Sequence, residues 1–257
     1  MHIATKKKVN KQKLQQNSDA VVYNVMIALA LAYLGFMGLR ALRDYYSTVG
    51  GYNALYDHTN TIALLGLLLA AAAAAVGIFW KNKIARAVSP WIVVIGLMIA
   101  ITGRNMRVSW ANDFSFLYFL CFAILVQYII FQLYRWEFFL FSLSTVVACS
   151  VFFSFSHGIY WTAKNITLLV ILALMLVLTT LCCRMACANK GFLSLGFTRI
   201  KLYGVKSAPV LLYIVNALWL VCTICIPIFG GLFAYYCMFA AIAVEFIAAV
   251  YYTFQLT

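Results

Sequence analysis

Gly230 to Tyr252 reads GGLFAYYCMFAAIAVEFIAAVYY, an unbroken apolar run that carries one carboxylate, Glu245. Its length is what a helix needs to cross a hydrocarbon core about 30 Å thick. An ionisable side chain at the bilayer centre costs about 2.5–3.5 kcal/mol on insertion scales, so by default it faces a bundle interior and marks a proton, ion or substrate path. No other acid of this chain falls inside an apolar run.

The rest of the chain has the same character. It has 257 residues, 66% hydrophobic and only 10% charged, which excludes a water-soluble domain. Leu64 to Trp80, LLGLLLAAAAAAVGIFW, is apolar on every face. The in-out alternation of an outer-membrane barrel is therefore absent, and helices are the remaining solution to backbone hydrogen bonding in lipid. The expected fold is all-α, a polytopic membrane protein of about eight transmembrane helices. Their spans are roughly 20–42, 59–80, 89–103, 114–134, 138–157, 165–183, 209–229 and 231–253, forming one transmembrane domain over 20–257.

Residues 1–19 are basic and polar without periodicity, and read as a cytoplasmic tail, irregular or lying on the membrane surface. The first apolar run then reads as a signal anchor rather than a cleaved leader. Ala70 to Ala75 with Gly66 and Gly77 give the second span a small-residue surface on which a neighbour can approach closely, so this helix is expected to be central. Ser89-Pro90 reads as the cap and first turn of a short third span. Arg135-Trp136-Glu137 reads as a tight break between the fourth and fifth spans.

Basic residues test the topology. With the start inside, the inner set is Lys6, Lys7, Lys8, Lys11, Lys13, Lys81, Lys83, Arg86, Arg135, Arg184, Lys190, Arg199, Lys201 and Lys206, fourteen of the 19. Arg40, Arg43, Arg104, Arg107 and Lys164 lie outside. This positive-inside bias predicts both termini in the cytoplasm, and a bacterial plasma membrane is the expected location. The net charge of +13 sits at helix ends rather than on a soluble basic face, which argues against nucleic acid as a partner.

Five groups of side chains could carry chemistry. Glu245 shares its helical face with Ala234, Ala241, Ala248, Ala249 and Tyr252, so it should look into the bundle, in the inner half of the membrane. Gln127, Gln132, Ser142, Ser144, Thr145, Thr179, Thr180 and Asn216 fall at similar depth, with no cation among them. Hydrogen bonds or protonation must then stabilise the carboxyl. Two readings stand: a proton-coupled or cation-coordinating site formed by Glu245, Asn216, Gln127, Gln132, Thr179 and Thr180, or a structural knot that ties helices together.

Arg40, Arg43, Arg104 and Arg107 could bind an anion at the outer face, or snorkel and pair with Asp44, Asp57 and Asp113. Cys222 and Cys225 form a C-x-x-C inside an apolar helix, which suits a thiol redox role or two inert small hydrophobes. Cys182, Cys183 and Cys187 have no local His to complete a zinc set, so no metal site is read.

In the cytoplasmic loop 184–207, the segment 190–207, KGFLSLGFTRIKLYGVKS, places Leu193, Phe197 and Ile200 on one helical face beside basic residues. It reads as lipid-surface contact or a docking surface for a cytoplasmic partner. Asn165-Ile166-Thr167 has the form of a glycosylation acceptor. No catalytic motif is present and no cofactor is implied. The function expected is a transport-related permease or substrate-binding subunit, working as an oligomer or beside a partner. A non-catalytic assembly protein and a membrane thiol redox protein are the alternatives.

Overall fold

The structure, a computed structural model, describes residues 2–79, 83–108, 114–134, 136–158, 161–189, 191–195, 198–201 and 210–254. In chain order the elements are α1 (His2–Tyr46), α2 (Val49–Tyr56), α3 (Thr59–Phe79), α4 (Lys83–Val108), α5 (Phe114–Leu133), α6 (Trp136–Ser156) and α7 (Ala163–Ala188). The hairpin β1 (Phe192–Leu195) and β2 (Thr198–Lys201) follows, then α8 (Val210–Phe229) and α9 (Gly231–Phe254). All the helices except the short α2 are long and apolar enough to cross a membrane, eight in total. The chain is a helical, multi-pass membrane protein.

Three boundaries differ from the sequence reading. The basic stretch 1–19 is helical from His2 and continuous with the first span, where an irregular tail was expected. The third span is not short: α4 begins at Lys83, runs to Val108 and carries Pro90 in its interior. Ser89 does not cap it. Its buried hydroxyl donates instead to the Ala73 carbonyl of α3, a neighbour that sequence spacing does not reveal. α5 ends at Leu133 and α6 already begins at Trp136, so Trp136 and Glu137 of the expected break are helical, while Arg135 lies outside the described residues, as do Asp113, Lys81 and Lys206.

Residues 32–121 form one compact unit. Its closest packing is between α3 and α4, whose backbones meet through small residues. A Cβ on Gly96 would lie 2.8 Å from both Ala70 N and Gly66 O, and one on Gly66 would lie 2.6 Å from Ala100 N. Only glycine permits that approach, and it maximises dispersion contact where no hydrophobic effect drives helices together. The small face of α3 therefore does what its sequence suggested, packing the helix on α4. Its opposite face exposes Leu64, Leu65, Leu67 and Leu68 for lipid.

At one end of this unit Leu39, Tyr46, Met106, Phe114 and Leu117 form a core covered by Tyr52 and Leu55 of α2. The Thr48 side chain caps α2 by accepting from Gly51 N, and Tyr46 donates to the Met106 carbonyl at 3.0 Å.

Residues 1–31 and 122–257 form the second unit. Its organiser is α6, packed on α7, α8 and α9. Of its apolar window 67% is buried, against at most 33% in any other span, so α6 rather than α9 is the helix around which this unit is built. Phe138, Phe141, Val151, Phe152 and Phe155 are buried on it, and Trp219 of α8 meets Phe152 edge to face at 5.9 Å. The reason is visible in its composition: Ser142, Ser144, Thr145, Ser150 and Ser154 put small polar side chains on several faces, and such faces belong against protein, not lipid.

After α7 the Gly191 N–H bonds to the Ala186 carbonyl at 2.7 Å, with Gly191 itself in a left-handed conformation at φ 89°. That turn delivers the chain to an antiparallel hairpin in which Leu193 opposes Ile200 and Ser194 opposes Arg199. Where a helical stripe was expected, Phe192–Leu195 and Thr198–Lys201 are thus paired antiparallel strands. Cross-strand register, not helical spacing, brings Leu193 to Ile200. Residues 190, 196–197 and 202–207 of this segment lie outside the described residues.

Candidate functional site

The site grows from the seam between α6 and α9. Ala234, Ala241 and Ala248 are buried along one stripe of α9, and their small side chains let it lie closely on α6. Glu245 projects beside that stripe. Both of its carboxyl oxygens are shielded from solvent and neither has a hydrogen-bond partner. Ser142 and Cys149 of α6 lie close enough to interact electrostatically with it. Ser142, fully buried, accepts a hydrogen bond from Gln127 Nε2 of α5. That bond occupies an oxygen lone pair and leaves the hydroxyl proton of Ser142 available to the carboxylate.

Asn216 belongs to a second cluster. Its Nδ2 donates to Thr179 Oγ1 at 2.9 Å and to Thr180 Oγ1 at 3.2 Å, joining α8 to α7. Both threonine hydroxyls donate back into their own helix, Thr179 to Met175 O at 2.8 Å and Thr180 to Leu176 O at 2.6 Å. Trp219, one turn on from Asn216, donates to Thr145 Oγ1 of α6 at 3.4 Å. The residues expected to form one polar belt therefore separate. Gln127 stands with Ser142 near Glu245, Asn216 stands with Thr179 and Thr180, and Gln132 bonds Tyr128 of its own helix at 2.9 Å.

One property joins the two clusters. Among the described residues the buried side-chain polar atoms left without a partner are Gln127 Oε1, Asn216 Oδ1 and both oxygens of Glu245, and all four are acceptors.

The sequence reading missed Glu137 and Tyr252. Glu137 stands in the charged break before α6, where it looked like a loop residue, yet it is buried and accepts from Tyr252 Oη at 3.1 Å. The Tyr252 ring packs on Phe138 at 5.0 Å and on Phe141 at 6.5 Å, and Tyr134 pairs with Thr253 at 2.9 Å beside it. The available clue was that Tyr252 continues the Glu245 stripe by two turns.

The remaining candidates are placed as follows. Arg40, Arg43, Arg104 and Arg107 are all exposed. Arg107 lies over the Tyr56 ring, 5.5 Å from its centroid, a cation–π contact, and Asp113, one of the three acids expected to pair with these arginines, lies outside the described residues. Cys222 and Cys225 are free thiols, and the neighbour that Cys222 meets is Cys237 of α9. Asn165 of the glycosylation tripeptide is buried at 3% exposure, and its Oδ1 accepts from Ser154 Oγ at 2.6 Å, so the folded chain cannot present it to a transferase. No family model, curated protein or solved structure matches the chain.

Proposed function

We propose that this chain is a transport-related membrane subunit, a permease or substrate-binding component, which takes up a proton or a small cation at Glu245. The supporting observation is the set of four buried, unpartnered polar atoms, every one an acceptor. A buried carboxylate costs several kcal/mol, and the Ser142 hydroxyl beside it, a neutral donor, does not offset its charge; the missing complement is a proton or a positive charge. A proton would neutralise Glu245, and a cation would draw also on Ser142 Oγ and Gln127 Oε1. On the same reading the charge asymmetry puts both termini in the cytoplasm of a bacterial plasma membrane, with the 190–207 segment available to a cytoplasmic partner.

The test is thermal unfolding of the purified protein across pH and in sodium, potassium and lithium salts, with Glu245→Gln alongside. The expected result is a melting temperature that responds to pH or to one cation in the wild type and stops responding in the variant. Identical responses in the two proteins would remove Glu245 from the function. The assembly reading has its own support in the Asn216 cluster, whose bonds only join α7 to α8. It replaces the transport reading if one stable partner co-purifies and no ion or pH change moves the melting temperature.

A further inference from the structure

The seam that holds Glu245 leads to the polar helix ends where α6 starts and α9 finishes. The helices α6 and α9 run antiparallel, so the start of α6 lies beside the end of α9. Tyr252 stands seven residues beyond Glu245 on α9, about 10 Å along the axis. At that level Tyr252, Phe138 and Phe141 close the seam with three buried rings, Tyr134 meets Phe138 edge to face at 4.8 Å, and the Tyr252 hydroxyl is tied to Glu137. The layer is apolar in its middle and polar only where it meets the helix ends.

From this we infer that Tyr252 and Glu137 latch an aromatic gate, formed with Phe138 and Phe141, that controls access from the α6-start end to the Glu245 carboxyl. This regulation rests on the reading of Glu245 as a proton or cation site. A latch is required because ring stacking alone leaves the end of α9 free to fray, and one hydrogen bond to a buried carboxylate is a discrete contact that can be made or lost. Cys149, on the far side of Glu245 from the gate, and the alanines of the α9 stripe offer no comparable closure. Tyr252 and Glu137 hold the gate in place and are not themselves assigned as ligands.

Carboxyl labelling of the full chain in lipid nanodiscs tests the gate. A carbodiimide adds to a carboxylic acid: a carboxyl oxygen bonds to the central carbon, the acid proton moves to nitrogen, and the adduct rearranges to a stable acylurea seen by peptide mass. A water-soluble cationic carbodiimide should label Glu245 slowly in the wild type and about tenfold faster in Tyr252→Phe, which keeps the ring and removes the latch. Dicyclohexylcarbodiimide, which reaches Glu245 through lipid, should label both proteins alike. Glu137→Gln keeps an acceptor for Tyr252 and should stay near the wild-type rate, whereas Glu137→Leu should behave as Tyr252→Phe.

Equal water-soluble labelling in the wild type, Tyr252→Phe and Phe138→Ala would overturn the gate. Loss of the pH or ion response of the wild-type melting temperature is a separate result and would overturn the function assigned to Glu245 instead.

Discussion

Tyr252 Oη and Glu137 Oε1 are joined by a 3.1 Å hydrogen bond across 115 residues of sequence, which ties the end of α9 to the start of α6. Donor and acceptor are both buried, so removing the Glu137 carboxylate strands the Tyr252 hydroxyl. Tyr252→Phe should lower stability by about 1.5–3 kcal/mol, the net contribution of a hydrogen bond to a charged group. Glu137→Leu should cost as much, and the double substitution less than the sum. Unfolding of the four proteins in mixed micelles measures this cycle. A coupling within about 0.5 kcal/mol of zero would mean the two side chains do not interact.

The α3–α4 contact makes a prediction whose sign depends on position. Gly96→Val must push backbone from backbone, because even a Cβ would meet Ala70 N and Gly66 O at 2.8 Å. The loss should exceed about 2 kcal/mol, in the range of overpacked cores. Gly38, within α1, has no heavy atom within 4 Å of where its Cβ would stand. Gly38→Ala should leave stability unchanged or raise it by up to about 1 kcal/mol through helix propensity. Equal effects at the two sites would show that α3 and α4 do not pack through Gly96.

Those same helices show what a sequence of this kind reveals and conceals. Spans are legible because a bilayer sets a length and an apolar content, whereas Ser89-Pro90, which lies inside α4, shows how a local signal imitates a helix start. Burial is far less legible. Hydropathy is high in α3 and in α6 alike, yet one faces lipid with its leucines and the other is enclosed.

The distinguishing feature was the scatter of Ser and Thr around α6, which apolar content masks. Depth arithmetic correctly placed Glu245 near Ser142, but depth carries no azimuth. Asn216 and Gln132 lie at similar depth and point to other partners. Glu137 was overlooked for the opposite reason, since a charge at a break reads as surface until a partner arrives from elsewhere in the chain.

Asn216 tests whether its cluster is part of the site or only joins helices. Asn216→Leu removes two hydrogen bonds and also the unpartnered Oδ1. Thr179 and Thr180 keep their carbonyl acceptors on α7, so no buried donor is orphaned. The net cost should be below about 1 kcal/mol, in line with side-chain hydrogen bonds in membrane bundles. The variant should keep whatever pH or ion response the wild type shows. Loss of that response in a protein of normal stability would bring Asn216 into the Glu245 site.

The thiols of α8 and α9 give a prediction that separates a redox pair from a packing contact. Gly230, at φ 91°, turns α8 back into α9, so Cys222 and Cys237 stand at nearly equal distance from the turn and lie against each other. All three cysteines here are free and lie inside the apolar spans. If the C-x-x-C were built for exchange, Cys222 would pair first with Cys225 on its own helix. The packing seen here favours the cross-helix partner. Oxidation by copper(II) phenanthroline removes two protons and two electrons per disulfide formed, and peptide mass then identifies the linkage.

A Cys222–Cys237 link should dominate, should persist in Cys225→Ser, and should vanish in Cys237→Ser without being replaced by a Cys222–Cys225 bond at comparable yield. Dominant Cys222–Cys225 oxidation, reversible by dithiothreitol, would instead favour a thiol redox role over the apposition of α8 and α9 through Cys222 and Cys237.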